Sequence, residues 1–348
     1  MASFKKIIKS KSLKTAPTQQ KAYQAKKGGF IIKNKQVKVK LKKDLKNMRL
    51  ITHTDLDGVM CAALITCVEQ IDVIKFVDPG TIQAKKMHIT KEDIIADLPF
   101  DSRAGMYFDH HEAGKPDKEF VGKFEVAPSA ARVVYDYYEN PYLEKFLPAL
   151  EETDRIDSGR VKREEVREPK GWFLLSNTFE MAEEKSEDDA YRKFVVKLLR
   201  REQDIEKILD VERVKERAEQ VLDNFEVFSR MLKENTKMIG KVAFSDFRGV
   251  SGLPKGNNFL VYSLFPQAIT SVRIMPEREG KDFVKISAGH NIYGKKCELN
   301  VGEMMKKYGG GGHRAVGGAS LPKEIAEEAA MEMVAKINKF EEAEENGK

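Results

Sequence analysis

Cysteine is scarce in this chain: Cys61, Cys67 and Cys297 are the whole complement in 348 residues. That excludes a disulfide scaffold and any metal cage built from cysteine alone. No stretch approaches the roughly 20 apolar residues needed to cross a bilayer. The N-terminus also lacks the apolar core of a secretory signal. A reducing, cytoplasmic setting without a membrane is therefore expected. Acid is nearly missing from the first fifty residues, where 15 lysines and Arg49 face Asp44 alone, a net of +15. The whole chain carries only +6, so the remaining 298 residues sum to −9. An acidic body follows a strongly basic leader, and the body would not be read as a nucleic-acid binder from charge. The leader has no arginine before Arg49, unlike a mitochondrial transit peptide.

Length allows two domains of ordinary size, and 41% hydrophobic with 33% charged residues fits a folded globule. Residues 1–28 lack apolar period and read as disordered, either a solubilising tail or an arm that attracts polyanions. Residues 30–41 alternate apolar residues with lysine, as an edge hairpin would. From Met48 onward, short apolar runs ending in Asp or His (MRLITH, IDVIKFVD, EDIIADL, GMYFDHH) interleave with helical stretches such as residues 129–140. That alternation predicts the α/β class: a largely parallel sheet covered on both faces. Ligands of such sheets bind beyond the carboxyl ends of the strands. Residues 182–236 are charged, lack Pro and Gly, and carry helical spacing. From Lys241 the runs KVAFSDFRGV, NFLVYSLF, AITSVRIM and FVKISAGH read as strands, and a helix is expected from about Lys323. The expected organisation is a basic leader (1–45), a catalytic domain (46–181), a helical linker (182–236) and a smaller α/β domain (237–348).

Three local motifs carry chemistry. The first is His53-Thr54-Asp55-Leu56-Asp57-Gly58, read as two carboxylates and an imidazole sharing one side of a strand end. Such donors suit Mn²⁺ or Mg²⁺, although acids ahead of a helix also serve as caps. Gly58 would permit a tight turn into the next helix. The second is Asp109-His110-His111, where adjacent histidines follow an apolar strand. The third is the glycine-rich run Tyr308 to Ala319, in which Gly310, Gly311 and Gly312 precede His313 and Arg314. Successive backbone N–H groups in such a loop form an anion site, to which His313 and Arg314 add donors. A flexible turn is the plainer reading. Of the six histidines, only His88 lies apart from these Gly- and Asp-containing segments, which also include His290.

In this combination and order the motifs resemble the DHH phosphoesterase superfamily: HTDLDG its first motif, ADLP with Asp97 its second, FDHH its third, and GGGGHRAVGGA the signature of its associated C-terminal domain. The resemblance covers roughly residues 48–340, and residues 158–179 resemble the exopolyphosphatase-related branch. It implies that His53, Asp55, Asp57, Asp97 and His110 hold two Mn²⁺ or Mg²⁺ ions, with Asp97 bridging. Asp109 would orient its neighbours, and His111 would be a ligand or contact the scissile phosphate. In the fourth motif, TDRIDSG, Asp157 is favoured and Asp154 is the alternative. His290, Arg273 and Arg314, with Gly310 to His313, would contact substrate phosphate. Two departures stand out. His53 lies only two residues before Asp55, and the Asp97–Asp109 interval is short.

The expected function is hydrolysis of phosphodiester, phosphomonoester or phosphoanhydride bonds in short oligonucleotides, nucleotides or polyphosphate, by a water activated between two metals. Expected partners are that phosphate-bearing substrate, a polyanion met by the leader, and a second copy of the chain. The alternatives are a nucleic-acid-binding protein of the same fold without catalysis, and an inorganic pyrophosphatase.

Overall fold

The computed structural model describes residues 48–182, 184–252, 254, 256–276, 282–294, 297–312 and 314–346. The basic leader and the hairpin expected at 30–41 lie outside them. The first half of the described chain contains β1 (Met48–Thr52), α1 (Leu56–Val68), β2 (Ile71–Phe76), α2 (Pro79–Gln83), β3 (Asp93–Ala96), β4 (Met106–Asp109), β5 (Gly122–Phe124), α3 (Ala130–Tyr138) and α4 (Leu147–Asp157). Its five strands form one sheet in the order β2-β1-β3-β4-β5, and every pairing is parallel. The near-continuous apolar strands follow from this, because a parallel sheet is covered on both faces. One face packs Leu50, Ile94 and Phe108 against α1 and α3. The other packs Ile51, Ile95 and Tyr107 beside Ile82, Ile89 and Leu98. Helix α1 runs through the middle, and every residue from Leu56 to Ile65 is buried.

Two short helices follow, α5 (Arg163–Arg167) and α6 (Gly171–Ser176), and the charged segment 182–236 then forms α7 (Lys185–Leu199), α8 (Ile205–Leu209) and α9 (Glu212–Glu234). Its apolar stripe is not a free-standing bridge. Tyr191, Val195, Leu199, Ile208 and Val214 join the core of the first sheet, as an amphipathic helix must bury its stripe somewhere.

The remaining elements are β6 (Thr236–Ile239), β7 (Val242–Asp246), α10 (Leu260–Leu264), β8 (Thr270–Pro276), β9 (Phe283–His290), α11 (Val301–Lys306), β10 (Gly311–Gly312), β11 (Val316–Pro322) and α12 (Lys323–Asn346). They build a mixed sheet in the order β10-β11-β9-β8-β7-β6, with only β7 and β8 parallel. α11 and α12 cover one face through Val301, Met305, Ala330 and Met333. Toward the other face lies a third cluster, which joins Val166 of α5 and Phe173 of α6 to Ala243, Phe247 and Tyr262 of the second sheet's half. The described residues fall within one compact unit. One sequence expectation fails here. NFLVYSLF is not a strand; its centre is the single buried helical turn α10. A short apolar run cannot be told from a buried helical turn by its period.

Candidate metal centre

The site sits where three neighbouring parallel strands end. His53 follows β1, Asp97 follows β3, and Asp109 closes β4 ahead of His110 and His111. Since β1, β3 and β4 are adjacent, their exits converge although the sequence separates them. Asp97 takes a left-handed conformation (φ 57°) and its N–H donates to the Phe108 carbonyl at 2.9 Å. Such a conformation in a non-glycine residue costs on the order of 1–3 kcal/mol. Here it ends β3 with the Asp97 carboxylate buried in the site.

Asp55 and Asp57 do not lie on a strand end as expected. Asp55 is the N-cap of α1 and accepts the Gly58 N–H at 3.0 Å, while Asp57 sits in the first helical turn. Capping and site formation are therefore the same arrangement. Gly58 is required by close approach, because a Cβ there would lie 2.2 Å from the His53 carbonyl oxygen.

Two groups of donors face each other. In the first, His53 Nδ1 lies 2.8 Å from Asp55 Oδ2 and 3.5 Å from Asp97 Oδ2. In the second, His110 Nε2 lies 3.4 Å from Asp157 Oδ2 and 3.8 Å from Asp57 Oδ2. Asp97 Oδ1 stands 3.8 Å from His110 Nε2 and equally far from His111 Nδ1. Within each of the sets His53–Asp55–Asp97, Asp57–His110–Asp157 and Asp97–Asp109–His110–His111, one ligand atom per residue lies within 4.8 Å of the others. Asp109 holds its neighbour in place. Its Oδ1 is 2.8 Å from His111 Nδ1, and its Oδ2 accepts the Tyr107 hydroxyl at 2.8 Å. The Ala127 carbonyl likewise fixes His110 through Nδ1 at 2.9 Å.

Charge crowding shows in the titration of these groups. Burial, then the charge on Asp55, pushes Asp57 up to about 7. Burial and Asp57 push Asp97 and Asp157 well above the ordinary carboxylate range. Burial works against a charged His53, yet Asp55 and Asp97 raise it to about 12. Burial also opposes ionisation of Asp55, but the His53 charge outweighs it and lowers the group. So many carboxylates cannot all ionise without cations. Two buried atoms at the centre, Asp97 Oδ2 and His110 Nε2, have no hydrogen-bond partner. Unsatisfied buried polar atoms call for an explanation, and carboxylate oxygens with imidazole nitrogens are the donors that Mn²⁺ and Mg²⁺ accept. The residues present fit such ions.

Of the other expected site residues, Asp154 is turned away from this cluster. Its Oδ1 accepts Ser129 Oγ–H at 2.6 Å and its Oδ2 accepts Arg132 at 2.6 and 2.9 Å. Both ring nitrogens of His290 are engaged, with Thr270 Oγ1 at 3.0 Å and the Leu299 carbonyl at 2.8 Å, so it does not offer a phosphate contact. Arg273 is buried, donates to Asn258 Oδ1 at 2.8 Å and lies near the Phe228 ring. Arg314 is exposed and paired with Glu298. Gly311 and Gly312 form β10, antiparallel to Gly318 and Gly317 of β11, and a Cβ on Gly312 (φ 146°) would meet the Val316 carbonyl oxygen at 2.3 Å. His313 lies outside the described residues.

Sequence reasoning missed several supports. The amides of Ala130 and Ala131 donate to Asp57 at 2.7 and 2.8 Å. Arg192, on α7, donates to the Thr54 carbonyl at 2.7 Å and so holds the His53–Asp55 turn. These partners are far apart in the chain, and no local pattern marks them.

No family model matches the chain, and no curated protein does. Solved structures do. The pGpG-specific phosphodiesterase PggH of Vibrio cholerae is 30% identical, with a TM-score of 0.68 over 84% of this chain and 100% of that one. RecJ of Thermus thermophilus, solved in complex with Mn²⁺, is 12% identical, with a TM-score of 0.50 over 85% of this chain and 52% of that one. An exopolyphosphatase-related protein of Bacteroides fragilis is 13% identical, with a TM-score of 0.45 over 84% of this chain and 92% of that one. The RecJ likeness shows a shared fold. PggH is similar across its whole length at an identity that marks common descent, and the chain accordingly belongs to the DHH phosphoesterase superfamily.

Proposed function

We propose that this chain hydrolyses phosphoester bonds in short phosphate-bearing nucleotides with the help of two divalent cations, Mn²⁺ or Mg²⁺. The observation that carries this reading is the pair of buried, unpartnered atoms Asp97 Oδ2 and His110 Nε2 among the carboxylates. His53, Asp55 and Asp97 would hold one ion, and Asp57, His110 and Asp157 the other, with Asp97 shared. Bound there, such ions neutralise the carboxylates, polarise a phosphoryl oxygen and lower the pKa of an attacking water. The protein residues supply the rest. Asp109 fixes the His111 ring through Nδ1 at 2.8 Å, and His111 would serve as a further ligand or contact the scissile phosphate. The glycine-rich segment at Gly311 and Gly312, with His313 and Arg314, would grip a second phosphate of the substrate, while the Gly310 N–H donates instead to the Met305 carbonyl at 3.0 Å.

The relative that spans this chain is named for pGpG, so a linear dinucleotide with a 5′-phosphate is the first substrate to try. The test incubates the purified protein with Mn²⁺ and pGpG, pAp, di- to pentanucleotides, a cyclic dinucleotide or polyphosphate. Hydrolysis of the short linear species, abolished by chelator and restored by Mn²⁺, is expected. Activity that survives the chelator, or no turnover of any of them, would overturn the proposal.

A further inference from the structure

We propose that Asp154 is a positioning residue for Asp57, acting through the first turn of α3. This rests on the metal reading above and adds a residue that does not itself face the metals. An α-helix begins with amides that have no partner within the helix, and those of the first three residues of α3 all find one outside the helix ladder. The Ala130 N–H donates to Asp57 Oδ2 at 2.7 Å, and the Ala131 N–H to Asp57 Oδ1 at 2.8 Å. The Arg132 N–H donates to Ser129 Oγ, the N-cap, at 3.0 Å. Asp57 is thus the anion seated on the positive end of α3, gripped at both oxygens by a helix more than 70 residues further along the chain.

The position of that helix end is set by Asp154. The hydroxyl of Ser129 has one proton, and it goes to Asp154 Oδ1 at 2.6 Å. That leaves the oxygen lone pairs for the Arg132 N–H, the orientation an N-cap requires. The second carboxylate oxygen of Asp154 takes the Arg132 guanidinium at 2.6 and 2.9 Å. One carboxylate therefore pins the N-cap side chain and the third helical residue together. Ser129 and Asp154 are both buried, so water does not substitute for either partner. Asp154 lies on α4, the helix that also carries Asp157 opposite His110. One turn of α4 thus delivers Asp157 to the centre directly and sets Asp57 through α3.

An outer partner of a metal ligand typically changes metal affinity or activity by about 10–100-fold. Asp154→Asn keeps the size of the side chain but removes its ability to accept from both Ser129 and Arg132. Ser129→Ala deletes only the hydroxyl. Mn²⁺ binding to the full-length chain is measured by the loss of the free-ion electron paramagnetic resonance signal, and thermal stability is recorded separately in chelator. Each variant is expected to bind Mn²⁺ about 10-fold or more weakly. The double variant should lose little more than the worse single one, because both act through one network. If Asp154→Asn does not fold, Ser129→Ala carries the test. Mn²⁺ affinity within about twofold of wild type, with only melting lowered, would reduce Asp154 to a structural role and overturn the inference. Wild-type protein that binds no Mn²⁺ would overturn the metal reading as well, so the two failures are distinguishable.

Discussion

His110 Nε2 and Asp157 Oδ2 stand 3.4 Å apart, one after β4 and the other at the last turn of α4. Asp154, three residues earlier on the same helix, bonds instead to Ser129 and Arg132. The two acids of TDRIDSG lie one turn apart on the same side of α4, and the elements packed against that side give each a different neighbour. Replacing Asp157 by Ala is expected to lower both Mn²⁺ binding and hydrolysis by more than about 100-fold, beyond the usual loss of an outer partner. Calorimetric titration and steady-state kinetics check this. A variant close to wild type in both would remove Asp157 from the ligand set.

The pH dependence follows from the same crowding. Burial first, then the Asp55 charge, raises Asp57 to about 7, above its value in an unfolded chain. The folded, metal-free protein then binds more protons than the unfolded one, so this group's contribution to stability falls as pH rises toward about 7. Cations need the deprotonated carboxylates, so their stabilisation grows over the same interval. The gain in melting temperature from saturating Mn²⁺ should be larger at about pH 7.5 than at about pH 5.5. Scanning fluorimetry with and without the ion measures it, and an equal gain at both would count against the assignment.

Gly58→Ala should damage fold and site together. The added Cβ would meet the backbone of His53 at 2.2 Å, which a side-chain rotation cannot relieve. A loss of about 1–3 kcal/mol is expected in urea unfolding, with weaker Mn²⁺ binding as His53 shifts. Full stability would show that the loop yields without cost.

The basic leader can be tested without structural assumptions. Its net +13, of which residues 1–28 carry +8, gains affinity for polyanions by counterion release, so that part of binding must weaken with salt. Deleting residues 1–28 should leave dinucleotide hydrolysis nearly intact, weaken binding to long polyanions and flatten its salt dependence. Identical salt slopes in the two proteins would favour a solubilising tail.

Much of this was legible in the chain before any coordinates. The apolar runs from Met48 onward marked the parallel strands, because a sheet buried on both faces admits little else. The spacing of HTDLDG, ADLP, FDHH and the glycine-rich run carried the family resemblance. What it left open depended on distant partners. Asp154 and Asp157 look alike in sequence, and only the packing of α4 against α3 sends one to Arg132 and the other toward His110. His290 looked like a phosphate contact until β8 and the Leu299 carbonyl took up both of its nitrogens. NFLVYSLF had strand composition, yet its buried centre, Leu260 to Ser263, closes into a helical turn. Local pattern reports which face of an element is buried. It does not report which buried group, scores of residues away, completes a hydrogen bond, because that choice is made when the elements pack.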